Sequence, residues 1–314
     1  YLPPVVVGPV IMTIGLGLAP TAKDMAMTNL PIAIFTLSIT IIVSVLGKGI
    51  FKVIPILIGI ISGYLLALVT GVVDTSLIME ASWLAVPDFN SVFNLTSWGD
   101  GISAVALIGP IAIVTMVEHL GDMLALSKTT DENFIEEPGL HRTLMGDGVA
   151  TMFASFLGGP PNTTYGENIG VLAITGVHNP LIIELAAVIV IGISFVEKMG
   201  ALIRTIPQSV MGGIVILLFG MIASIGLRTL IENEVDLSKN RNLVIVSTIL
   251  VTGISGIVFK INFVEISKLL NLNGVAVINN FAQAVKVIKF EGMGLAAIIG
   301  ILINLVLPEI KSNK

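Results

Sequence analysis

Apolar residues run in long blocks along this chain, with polar residues confined to the gaps. A helix needs ~20 apolar residues to cross a bilayer. Blocks approaching that length lie at about 4–19, 30–47, 53–72, 102–126, 181–197, 208–227, 242–259 and 292–308, with weaker ones at about 143–158 and 167–177. The pattern predicts about ten transmembrane segments. Gly and Pro interrupt several of them, which a membrane tolerates where neighbouring helices or an internal cavity satisfy the freed backbone groups. Three linking stretches are long. Residues 73–101 carry acids and no Lys or Arg, and 127–142 are charged. Residues 260–290 mix lysines with a weak amphipathic pattern, expected at the membrane interface.

Composition supports the same picture. Of 314 residues, 54% are hydrophobic and 12% charged, and the mean hydropathy is +0.99. A soluble domain has about 25% charged residues, so the expected class is an all-α polytopic membrane protein. The 32 glycines suit helices that pack closely in lipid. The absence of cysteine excludes disulfides, thiolate metal sites and cysteine nucleophiles. A net charge of −5 argues against nucleic-acid binding. The chain opens at Tyr1 inside an apolar run, without Met or a signal-peptide layout, and reads as a fragment lacking its N-terminal part. With alternating spans, Lys48/Lys52, Lys128/Arg142, Arg228/Lys239/Arg241 and Lys311/Lys314 fall on one side. The other side holds the Lys/Arg-free 73–101 loop, but also Lys198, Arg204 and the lysines of 260–290. The positive-inside rule then puts the C-terminus in the cytoplasm.

Ionisable residues inside spans are costly and mark function by default. Here they are Glu118, His119, Asp122, Asp147, Glu167, Glu184 and Glu197. Glu118 and Asp122, at i and i+4 in TMVEHLGDMLAL, stack on one helix face. Two like charges there repel, so the pair readily holds one proton between them, as a proton-coupled site requires. The competing reading makes this a helix end with Asp122 solvated. His119 can pair with Asp122 at i+3 and is read as a structural histidine, since HExxH and further metal ligands are absent. Asp147, between two glycines, is read as a hydrogen-bonding or capping residue rather than a direct ligand contact. Glu184 and Glu197 are assigned to the interface.

The stretch GPPNTTYGENIG, residues 159–170, is the most unusual. Pro160 and Pro161 stop a helix at Gly159. Asn162, Thr163 and Thr164 favour extended or turn backbone and offer side-chain hydrogen bonds. After Gly166 the run ENIGVLAITG can be helical, with Thr164 or a neighbour as N-cap and Glu167 in the first turn. The result is a half-extended, half-helical span at about 160–177. Broken spans of this kind carry the binding sites of secondary transporters. An ordinary polar loop explains the prolines, but not a carboxylate followed at once by an apolar helix.

Three motifs resemble the nucleobase–cation symporter 2 family (nucleobase/ascorbate transporters), and within it the bacterial uracil permeases. ENIGVLAITG (167–176) resembles a family signature, IPQSVMGGIVILLFGMI (206–222) resembles a second, and Glu118 with Asp122 looks like the family's acidic pair. PGLHR (138–142) and NTTYGENIG (162–170) also look like uracil permease text. The resemblance implies a fourteen-span fold of two inverted seven-span repeats, split into core and gate domains. By it, this chain lacks the first four spans. Residues 1–72 and 206–308 would be gate helices, and 102–200 the C-terminal half of the core. It further implies that Glu118 and Glu167 hold the base and that Gly166 offers its backbone N–H. Tyr165 and Phe219 would be wall residues, Asn168 would support the site, and Glu118 with Asp122 would couple protons. Asp122 stands where uracil permeases also carry His, and Gly176 where Arg is common. Purine transporters of the family tend to have Gln at Glu167, so Glu favours uracil over xanthine.

The expected function is uracil import by proton symport in a bacterial plasma (inner) membrane, by alternating access, with no cofactor, no metal and no catalytic residues. A homodimer through the gate domain comes from the resemblance alone. A xanthine or other purine permease is the alternative within the family. A channel, or an intramembrane hydrolase using Glu118 and His119, is the alternative outside it.

Overall fold

The computed structural model describes residues 3–86, 98–262, 265 and 287–308. The chain is mainly helical: α1 (Pro4–Gly17), α2 (Ala19–Met27), α3 (Leu30–Leu46), α4 (Pro55–Val69), α5 (Ser76–Glu80), α6 (Trp98–Thr130), α7 (Leu140–Phe156) and α8 (Glu167–Thr175). Then follow α9 (Pro180–Ser194), α10 (Glu197–Arg204), α11 (Gln208–Glu232), α12 (Asn240–Ile254), strands β1 (Val258–Asn262) and β2 (Val287–Glu291), and α13 (Gly292–Val306). Each apolar block coincides with a helix to within five residues at either end.

Local chemistry sets many of these starts. α1, α3, α4 and α9 all carry Pro in the first turn, where its missing N–H costs nothing. Asn29 and Asn179 cap α3 and α9, accepting from the amides of Ile32 (3.4 Å) and Leu181 (3.0 Å). In the turn from α11 to α12, Asp236 accepts from the amide and hydroxyl of Ser238. These bonds hold its carboxyl below the usual carboxylate range.

By length and composition, α1 with α2 (Pro4–Met27) and α11 can each cross a membrane. α9 and α10 qualify together, bent by 86° at their junction. α3, α4, α12 and α13 are shorter apolar helices. One expectation is corrected: the chain is not all-α. β1 and β2 pair antiparallel, Val258 opposite Glu291 and Asn262 opposite Val287. VFKIN and VIKFE are rich in β-branched and aromatic residues, which suit a pleated surface. Most of the region expected at the interface, 263–286 apart from Glu265, lies outside the described residues.

α1 lies at the centre of one helix group. Val5, Val6, Val10 and Ile11 are buried against Ile245 and Ile249 of α12 and Ala296 and Ala297 of α13. α11 packs against α1, α2, α3 and α4. In lipid, transfer of apolar surface does not drive helices together, so contact must come from close fit. Here the fit is backbone against backbone. A Cβ on Gly15 of α1 would lie 2.7 Å from the amide nitrogen of Ala223 and collide with the carbonyl of Phe219. A Cβ on Gly226 of α11 would lie 2.7 Å from the amide of Met12 and collide with the carbonyl of Gly8. Between α3 and α4, Gly59 and Gly63 seat against Thr40 and Thr36. Those hydroxyls donate to the carbonyls of Thr36 (2.7 Å) and Ile32 (2.9 Å), leaving no unpaired donor in the joint. Arg241 at the start of α12 donates to the carbonyls of Leu307 (3.1 Å) and Asn304 (2.9 Å), satisfying the carbonyl end of α13.

α6 contacts α7 and α8, and also α1, α13 and β2. α10 packs on α5. There Lys198 donates to the carbonyl of Ile78 (2.8 Å) and lies 5.3 Å above the Trp83 ring, while Glu197 accepts from the amide of Ser82 (2.9 Å). The amide of Ala85 also donates to the carbonyl of Phe195 at 3.0 Å. The charges of Glu197 and Lys198 are thus used in a specific joint, not only at a solvated rim.

Candidate functional site

α7 ends at Phe156, and Gly158 turns the chain with φ of 84°. Pro160 and Pro161 then forbid another turn, and residues 159–165 carry no helix or strand. No β-ladder forms there among the described residues, so the segment expected as a half-strand carries no regular secondary structure. α8 starts at Glu167 and stops at Gly176, whose φ is 64° and whose N–H reaches the carbonyl of Leu172 at 2.9 Å. At nine residues, α8 is about 14 Å long, half a bilayer at most.

Backbone without a ladder needs other partners. Side chains from two helices supply them. On the α7 side, Thr151 bonds Asn162 through its carbonyl (2.9 Å) and its side-chain amide, and the Thr163 hydroxyl donates to Asp147 Oδ2 at 3.5 Å. On the α6 side, His119 Nδ1 meets Thr164 Oγ1 at 2.5 Å. His119 is 3% exposed, and its Nε2 has no partner among the described residues. The structural histidine is therefore satisfied at one nitrogen only, and its partner is Thr164 rather than Asp122.

Thr164 is not the N-cap of α8; Gly166 holds that position. The Thr164 hydroxyl is engaged by His119 instead. Gly166 has φ −62°, ψ −29°, a conformation open to any residue. A Cβ there would lie 2.6 Å from Asp122 Oδ1, so any larger residue displaces that carboxylate. The Asp122 carboxylate thus rests against the α8 N-terminus, where the partial positive charge of the helix end favours it. Glu118, one turn earlier on α6, is half-buried and engaged, as is Asp122.

α6 and the segment before α8 therefore bring His119 to Thr164 and Asp122 to Gly166, with Glu118 one turn before Asp122 on α6. Tyr165 is 54% exposed and Asn168 is exposed. Glu167 is the first residue of α8; its side chain lies outside the described residues. Phe219 is half-buried on α11, in the helix group around α1. Sequence reasoning passed over Thr151. Its signal is the spacing from Asp147, four residues earlier on the same face of α7. Chemically, the site offers carboxylates on one helix and amide groups at the start of another, so it suits a small polar molecule with both donors and acceptors.

A family profile described as "Permease family" matches residues 1–261. The "Uracil permease" of Bacillus subtilis (strain 168) is 47% identical over 326 residues, covering 100% of this chain and 70% of that protein. That of Bacillus caldolyticus is 48% identical over 320 residues, covering 98% of this chain and 68% of its own length. The "Uracil permease" of Escherichia coli (strain K12) is 37% identical over 315 residues, covering 97% and 66%. The profile and the near-complete alignments agree: the chain belongs to the permease family that includes the uracil permeases, the nucleobase–cation symporter 2 (nucleobase/ascorbate transporter) family.

Proposed function

We propose that this membrane protein is a transporter that imports uracil by proton symport across a bacterial plasma membrane. The observation that carries this reading is the polar, non-helical segment 159–165, clamped by α6 and α7 and running into α8 beside the α6 acids. Uracil presents ring N–H groups beside ring C=O groups. Glu118 and Glu167 accept from the N–H groups, and the Gly166 amide donates to a ring oxygen. Tyr165 and Phe219 flank the base, and Asn168 supports the start of α8. Glu118 and Asp122 share the transported proton. Relatives named as uracil permeases, and a "Putative pyrimidine permease" of Escherichia coli (strain K12) at 40% identity over 80% of this chain, support a pyrimidine over a purine.

In this reading the helices of 1–72 and 206–308 are the gate, and those of 102–200 are half of the core that moves against it. The gate carries any homodimer contact, and the C-terminus lies in the cytoplasm. The test is uptake of labelled uracil by cells producing the full-length protein, at several external pH values, with cold nucleobases as competitors. Accumulation above the external level that rises with external acidity, and competition by pyrimidines but not xanthine, is the expected result. Equilibration without accumulation would identify a channel, and competition by xanthine a purine permease.

The Gly166 contact yields a second expectation. Gly166→Ala leaves folding intact, because the conflicting atom is the tip of a side chain. It pushes the Asp122 carboxylate away and lowers uptake about tenfold, equivalent to about 1.4 kcal/mol. Initial-rate uptake against immunoblotted protein level checks this. Wild-type rates would mean the Asp122 position is immaterial.

A further inference from the structure

We infer that His119 is a positioning residue. Its imidazole fastens the irregular segment before α8 to α6 through Thr164, and so fixes the distance between Glu118 and the start of α8. The bond joins residues 45 apart in sequence. One partner directly follows Glu118, and the other stands two residues before Gly166 and three before Glu167. Between them they set the relation of the two halves of the site.

Three observations carry the inference. The segment has no ladder of its own, so side-chain bonds decide where it lies. Its bonds to α7 through Asn162 and Thr163 are exposed, and water competes for them; the bond to His119 is partly buried and stronger for it. Finally, His119 is buried with Nε2 unpartnered among the described residues. A residue that only filled space would be apolar and would escape the cost of that unpaired nitrogen. The bond at Nδ1 accounts for an imidazole at this position.

The test is a double-mutant cycle in the full-length protein, with two readouts. His119→Leu and Thr164→Val each keep the volume and remove the bond. Each is expected to raise the KM for uracil uptake about fivefold to tenfold, the effect of one buried hydrogen bond, with maximal rate and melting temperature near wild type. The double variant is expected to be no worse than either single one, as for two residues sharing one interaction. Thr164→Ser restores the hydroxyl and the wild-type KM.

The second readout is amide hydrogen exchange of residues 159–170 in the purified protein. Exchange is expected to quicken alike in both single variants and in the double. The kinetic readout rests on the uracil reading; the exchange readout does not. Wild-type protein that fails to take up uracil overturns that reading alone, and exchange then decides the bond. Unchanged exchange in Thr164→Val, or losses that multiply in the double variant, would overturn the inference.

Discussion

Uracil uptake is expected to fall about a hundredfold in Glu118→Ala, and by a similar factor in Glu167→Gln, with both proteins still reaching the membrane and melting normally. A hydrogen bond to a charged acceptor contributes about 1.5–3 kcal/mol, and each 1.4 kcal/mol is tenfold. Removing the acceptor also leaves a ring N–H of the bound base unpaired in a half-buried place, and sites built around such groups discriminate strongly. Glu167→Gln is the finer probe, since it keeps the shape but replaces a pure acceptor with an amide that also donates. The same variant is expected to gain relative affinity for bases that present an acceptor at that edge. Folding is spared because Glu118 is only half-buried on a long helix. The check is uptake normalised to membrane protein, with binding of uracil to purified protein by calorimetry. Either variant transporting at the wild-type rate would remove these residues from the site.

The second large effect is on folding. Gly15→Leu and Gly226→Leu are expected to abolish folded protein, with loss of the monodisperse peak in detergent. Overpacking a rigid core typically costs about 1–3 kcal/mol. Here the collision is with the backbone of the facing helix, which cannot rotate aside. The remaining escape is to part α1 from α11, the contact on which the helix group is built. On the same α11, a Cβ on Gly220 would meet nothing within 4 Å among the described residues. Gly220→Ala removes the helix penalty of glycine, about 0.5–1 kcal/mol, and raises the melting temperature. Equal behaviour of all three variants would show that the close approach does not hold the group together.

Much of the fold was legible because lipid demands unbroken apolar runs, and the blocks at 30–47 and 292–308 mark α3 and α13 directly. The last turn of α11 was hidden because Arg228 and Glu232, paired at 2.6 Å, interrupt the apolar signal while they stabilise the helix. The 86° bend between α9 and α10 was hidden because hydropathy measures length and not direction. β1 and β2 are five residues each, with 24 residues between them, too short and too separated to stand out. In the site, the polar break at 159–166 and the acids of α6 were visible. Their pairing was not: helical spacing offers His119 to Asp122, and only the folded chain offers it to Thr164. The role of Gly166 was likewise invisible, since its dihedrals are ordinary and its neighbour comes from another helix.

The bond from Ala85 to Phe195 has a mechanical consequence. The chain leaves for α6 just after residue 85 and returns from α9 at residue 195, so everything between is an excursion closed at its neck. Lys198 and Glu197 tighten the same neck. Within the excursion α6 is braced by α1, α13 and β2, whereas α9 meets chiefly α10 beside the neck, so α9 is the part least held. α9 runs away from that point for fifteen residues, about 22 Å. A swing of about 10° carries its far end through about 4 Å at that length, more than a hydrogen-bond distance, while the atoms at the pivot barely move.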